Sequence, residues 1–169
     1  MTKELQQKLF SEYDRMFKDR KKSMAETCMA WGIECGDGWY HILDHMCHRL
    51  QKIQEEYDVT VIFDQIKEKF GTLRIYHHEE YGDRWTKEGE WKDWKIDDKS
   101  EIEYSSLGWR HSGKMVSAAQ HVSDQIEEVI RVTDMMSHIT CEKCGMTGAT
   151  QTEGGWITTL CDNCKQKKV

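Results

Sequence analysis

Cys141-Glu-Lys-Cys144-Gly145 and Cys161-Asp-Asn-Cys164 face each other across sixteen residues in the last quarter of the chain. Each CxxC step wraps a tight turn that aims two sulfurs at one point. Two such turns complete a tetrahedron, so the pattern predicts a four-thiolate zinc site. Gly145 suits the exit from the first turn, where the backbone needs a twist that glycine takes without steric cost. Lys165 in the matching place makes the second turn the less ideal half. Between the knuckles, Ala149-Thr-Gln-Thr-Glu153 and Trp156-Ile-Thr-Thr-Leu160 favour strands, and Gly154-Gly155 supplies a two-residue hairpin. Residues 137–169 are therefore expected to form a zinc ribbon with one structural Zn2+ per chain, the metal supplying about 10 to 16 kcal/mol of folding free energy. A disulfide pair, a thioredoxin-like motif and an iron-sulfur site are the competing readings of the same cysteines.

Working back from the ribbon, Met115, Val116, Ala119, Val122, Ile126, Val129, Ile130, Val132 and Met136 form a helical stripe, with Ser112 available as its cap. No Pro-, Gly- or Ser-rich spacer separates Met136 from Cys141, which predicts a ribbon docked against this helix. Val59 to Tyr76 alternates with period two and turns near Gly71, giving two strands. Lys67, Lys69 and Arg74 would share one face of that hairpin, as a solvated strand surface paired with nearby acids or as an anion site. Before it, Trp39, Ile42, Leu43, Met46, Cys47, Leu50 and Ile53 mark a helix opened by Gly36-Asp37-Gly38, with Asp37 placed to assist its start. Cys47 lies on the apolar stripe and reads as a small buried hydrophobe. Leu5, Leu9, Phe10, Tyr13, Met16 and Phe17 predict an amphipathic helix over residues 3–22, and residues 28–38 read as a loop. The fold class is thus α+β: three main helices with a small antiparallel hairpin or sheet in residues 1–136, followed by the ribbon.

The polar stretch at residues 79–111 interrupts these patterns and carries Trp85, Trp91, Trp94 and Trp109. Residues 77–103 hold ten acidic against five basic side chains. The tryptophans either fold back onto the core or, with Trp85, Trp91 and Trp94 foremost, form a partner-binding patch. Ile96, Ile102 and Tyr104 could add a strand or two there. A net charge of −6 argues against a generic polyanion binder, since grip on phosphates comes from an excess of Lys and Arg. Only the tail, through Lys143, Lys165, Lys167 and Lys168, is basic enough to meet nucleic acid, with Trp156 free to stack on a base. No apolar run reaches the roughly 18 residues of a membrane span, so the chain is expected in the cytoplasm. Four of seven cysteines belong to the ribbon, leaving Cys28, Cys35 and Cys47 without an assigned role.

Gly36-Asp-Gly-Trp-Tyr40, Gln65-Ile-Lys-Glu-Lys-Phe-Gly-Thr-Leu-Arg-Ile-Tyr76 and the Cys141-Glu-Lys-Cys-Gly145 with Gly155-Trp-Ile-Thr-Thr-Leu-Cys161 blocks together resemble small uncharacterised proteins encoded by bacteriophages and prophages. The three blocks span about half the chain. The resemblance implies a phage accessory protein working in a bacterial host cytoplasm and implies no particular reaction. The histidine-rich second helix and the long Trp-rich insert depart from the usual pattern.

No P-loop, GxSxG turn, HExxH pair or dinucleotide fingerprint occurs, and a closed thiolate shell leaves no open metal position. The leading expectation is a non-enzymatic protein that binds a host protein, one form being an inhibitor of a nucleic-acid-acting defence enzyme. A nucleic-acid-binding ribbon is the second reading. A metal-dependent hydrolase or nuclease is the third. It would use a second metal site around His41 and His45, four apart on one helical face, with Asp44, Cys28 or Cys35 as a third ligand.

Overall fold

The computed structural model describes residues 1–82, 118–153 and 155–166. The fold is α+β. Helix α1 (Lys3–Glu12) leads through a 3-10 turn at Lys18–Lys21 and another at Cys28–Trp31 into a short strand β1 (Ile33–Glu34). Helix α2 (Tyr40–Tyr57), the hairpin β2 (Val59–Lys69) and β3 (Thr72–Tyr81), and helix α3 (Ala118–Ser137) follow. Strands β4 (Thr150–Gln151) and β5 (Thr159–Leu160) and a final turn of helix α4 (Asp162–Gln166) complete the described chain.

The sheet order is β1-β2-β3, with β1 parallel and β3 antiparallel to β2. Val59, Val61, Phe63 and Ile66 of β2 pack with Leu9, Phe17, Ile42, Leu43, Met46 and Leu50, and with Val122 and Ile126 of α3, in one core. Cys47 is fully buried within it.

Two departures from the sequence reading matter for function. The helix expected over residues 3–22 ends at Glu12, because the chain bends at Tyr13 (φ −119°, ψ 42°). The bend lets Met16 accept a hydrogen bond from the Phe63 N–H at 2.9 Å and sets the Phe17 ring 5.0 Å from Phe63. Leu9, Tyr13, Met16 and Phe17 are all buried, so helical spacing is satisfied with or without the bend. Residues 28–38, read as loop, contain β1, which pairs Ile33 with Ile66 and Glu34 with Lys67.

The two-residue turn Phe70-Gly71 joins β2 to β3, with φ 55° and 76° at the two positions. Both are left-handed, the geometry a two-residue hairpin prefers. On that hairpin Lys67 lies opposite Arg74, but Arg74 is paired with Asp134 at 3.1 Å and Lys67 sits over the Tyr76 ring.

Of the third helix, Val122 and Ile126 are buried and Val132 is exposed. Ser112, Met115, Val116, the four insert tryptophans with Ile96, Ile102 and Tyr104, Gly154, Lys167 and Lys168 lie outside the described residues.

Candidate metal centre

The Cys141, Cys144, Cys161 and Cys164 sulfurs all lie within 4.8 Å of one another, with Cys144 Sγ and Cys161 Sγ 3.6 Å apart. A metal–sulfur bond of about 2.3 Å in a tetrahedron places sulfurs about 3.8 Å apart, so the set fits one four-coordinate ion. The backbone builds both knuckles: the Gly145 N–H donates to the Cys141 carbonyl at 2.8 Å, and the Cys164 N–H to that of Cys161 at 3.0 Å. Gly145 has φ 78°, as its place after the first turn requires.

The sulfurs are electrostatically unequal. Burial pushes the Cys141 thiol up, but the Cys161, Cys144 and Lys143 N–H groups aimed at its sulfur outweigh it and bring the pKa down to about 6. The N–H of Met146 and the Cys164 thiol pull Cys144 down; its Cys141 and Cys161 neighbours and burial leave it raised. Cys164 is pushed up to about 12, first by its hydrogen bond with Cys144 and then by burial. The surroundings thus favour the thiolate at Cys141 and the protonated thiol at Cys144 and Cys164, protons that a cation would have to displace.

The hairpin between the knuckles is shorter than expected. Beyond β4 and β5 the Thr152 N–H still donates to the Thr158 carbonyl at 2.8 Å, but the Thr158 N–H donates to the Thr152 hydroxyl at 3.0 Å. That side chain replaces a ladder bond and ends the strands.

The site is tied to the rest of the molecule by residues read from sequence only as a helix start. The Gly38 N–H donates to the Glu142 carbonyl at 2.7 Å, and the Gly36 N–H to Glu142 Oε1 at 2.9 Å. The Trp39 indole N–H donates to the Thr140 carbonyl at 2.8 Å, with Trp39 fully buried. Burial raises the Glu142 carboxyl, opposed by the Gly36 N–H. A Cβ on Gly38 would stand 2.5 Å from the Gly145 nitrogen, and one on Gly36 2.6 Å from Glu142 Cγ. Asp37, expected to assist the helix start, instead accepts the Thr2 N–H at 2.6 Å.

The β2–β3 turn makes a second tie. The Thr159 hydroxyl donates to the Gly71 carbonyl at 2.5 Å and Gln151 Nε2 to that of Phe70 at 3.2 Å. The ribbon therefore docks on the Gly36–Trp39 turn and the Phe70-Gly71 turn as well as following α3. Ser137, the last residue of α3, joins in by accepting the Leu73 N–H at 3.0 Å.

His41 and His45 are both exposed on α2. Among the described residues no third metal-binding group gathers with them. Asp44 accepts the Tyr13 hydroxyl at 3.0 Å, Cys35 is buried, and Cys28 lies beside Asp64 in an open pocket elsewhere. His41 instead lies alongside Gly145 of the first knuckle. Trp156 is 78% exposed, while Lys165 is held by Thr150 and Asp162.

Comparison with family models, with curated proteins and with solved structures yields no match. Among the described residues no helix is long and apolar enough to cross a membrane.

Proposed function

We propose that this chain is a non-enzymatic accessory protein of the bacteriophage or prophage type, which binds a host protein in the bacterial cytoplasm. One Zn2+ held by Cys141, Cys144, Cys161 and Cys164 serves as its structural staple. Four thiolates in a tetrahedron favour zinc, and such a closed shell leaves no position for water or substrate. The observation that carries the reading is the use made of the first knuckle: Gly38 and Trp39 take up the Glu142 and Thr140 carbonyls and Gly36 the Glu142 carboxylate, so these groups are not turned toward a cleft.

The acidic, Trp-rich insert is the partner surface in this reading, its charge standing in for phosphate before a nucleic-acid-acting defence enzyme. Capture from host lysate with the zinc-loaded chain tests it. Recovery of such an enzyme should fall with rising salt and be lost in a Trp91→Ala/Trp94→Ala variant. A partner recovered equally by that variant would refute the surface.

One observation favours direct nucleic-acid binding as the second reading. Trp156 and Phe70, 78% and 63% exposed, flank the ribbon-to-turn contact, with Lys69 over the Phe70 ring. Exposed aromatics beside a cation suit stacking on single-stranded bases. Mobility shifts over a salt series decide between the readings: failure to bind at low salt excludes this one, because phosphate contacts are strongest there.

A further inference from the structure

On the far side of the sheet from α2, the pairing of β2 with β3 slips by one residue. Phe63 pairs with His77 and Gln65 with Tyr76, so Asp64 is the extra residue of a bulge. Phe63 and Ile66 are both buried in the core while Asp64 and Gln65 are only half-buried, so the bulge turns two consecutive side chains away from it. Asp64 thereby meets His78, whose Nδ1 lies 2.8 Å from Asp64 Oδ1. The 3-10 turn Lys18–Lys21, pinned to β2 through the Met16 carbonyl, brings Asp19 over the same spot.

Asp19 is 4% exposed. Its Oδ2 accepts from Lys22 Nζ at 2.8 Å, but Oδ1 is buried and accepts no hydrogen bond among the described residues. An unsatisfied carboxylate oxygen at such depth carries a desolvation cost that a cation would offset. One ligand atom from each of Asp19, Asp64 and His78 lies within 4.8 Å of the other two. Bonds of about 2.0 to 2.2 Å to a single ion place ligand atoms about 3 to 4.4 Å apart, so a small closing movement suffices. Lys22 reaches only the Oδ2 of Asp19, Asp64 faces His78, and Lys18 is occupied by Glu80, so no described cation meets Asp19 Oδ1.

We propose that Asp19, Asp64 and His78 form a second metal site, distinct from the thiolate cluster, that takes a divalent cation of the Mn2+ or Zn2+ kind. Carboxylate and imidazole ligands suit hard and borderline ions, whereas the four cysteines select a thiophilic one. Three protein ligands leave coordination positions open. Asp64 also lines the open pocket formed with Glu26, Thr27, Cys28, Gln65 and Tyr76, through which an ion could enter. The site stands independently of the function proposed above.

Mn2+ titrated into the full-length chain carrying a single equivalent of Zn2+, which the four thiolates take first, tests the site, with free aquo-Mn2+ followed by electron paramagnetic resonance. One Mn2+ should bind per chain. Asp64→Asn and His78→Gln should each weaken it by about ten-fold or more. Lys22→Met should tighten it, because the competing ammonium is gone, which a plain salt bridge would not predict. Broadening of the His78 ring signals by Mn2+ in the unsubstituted chain gives a reading that needs no variant to fold. No Mn2+ bound at about 1 mM, or binding unchanged in both ligand variants, would overturn the proposal.

Discussion

At Gly38 the first knuckle comes so close that a Cβ would stand 2.5 Å from the Gly145 nitrogen and 2.7 Å from the Glu142 carbonyl oxygen, with the Cys141 carbonyl oxygen nearer still. All three are backbone atoms, which cannot swing aside as a side-chain tip can. Gly38→Ala should therefore cost about 2 to 3 kcal/mol in denaturant unfolding of the metal-loaded protein. A cost near zero would mean that the knuckle is not seated as described. The cysteines carry a prediction of their own. With Cys141 brought down to about 6 and Cys144 and Cys164 raised, the metal-free site at pH 7 holds one thiolate and at least two thiols. Metal uptake should release a proton from each of those two, measurable by titration calorimetry in buffers of different ionisation enthalpy. Affinity should therefore already fall by about ten-fold per pH unit for each released proton near pH 7, and more steeply below about 6, where Cys141 is protonated as well. Proton release near zero at pH 7 would contradict the assignment.

Among the elements, the Phe70-Gly71 turn holds a bulky L-residue at φ 55°, where Asn or Gly is the usual occupant. Phe70→Asn should raise stability by about 1 kcal/mol, read from the denaturation midpoint, since the left-handed region costs an ordinary residue about 1 to 2 kcal/mol. If Phe70 also serves as a contact for nucleic acid, the same variant loses that binding while gaining stability. Period and spacing made α2 and the β2–β3 hairpin legible in the sequence, because their apolar stripes depend only on neighbours. They left the end of α1 hidden, since Leu9, Tyr13, Met16 and Phe17 face the core on either side of the bend. The bulge at Asp64 did leave a trace: the apolar spacing changes from two to three between Phe63 and Ile66. The meeting of Asp19, Asp64 and His78 left none, because it depends on a 3-10 turn crossing a distant strand.

Across the whole molecule, the turn at residues 36–39 and the Phe70-Gly71 turn come together on the ribbon. Gly36–Trp39 holds the Thr140–Glu142 main chain, and Phe70-Gly71 holds Gln151 and Thr159. Spacing alone predicted the four-cysteine set, since CxxC turns are local devices. Their docking partners were invisible as such, because a glycine needed for close approach looks like one needed for a turn. The resulting architecture couples the four-cysteine cluster to the N-terminal half: hydrogen bonds from Gly38 and Trp39 to the chain at the first knuckle span more than a hundred residues.

Backbone amide hydrogen exchange before and after chelation is the most direct test of that coupling. With metal bound, the Gly38 amide, donating to Glu142, should be protected. Removing the metal should speed its exchange by about ten-fold or more, with the Ile66 amide in the core sheet changing far less. A Gly38 amide equally protected with and without metal would contradict the claim that the ion holds the knuckle in its seat.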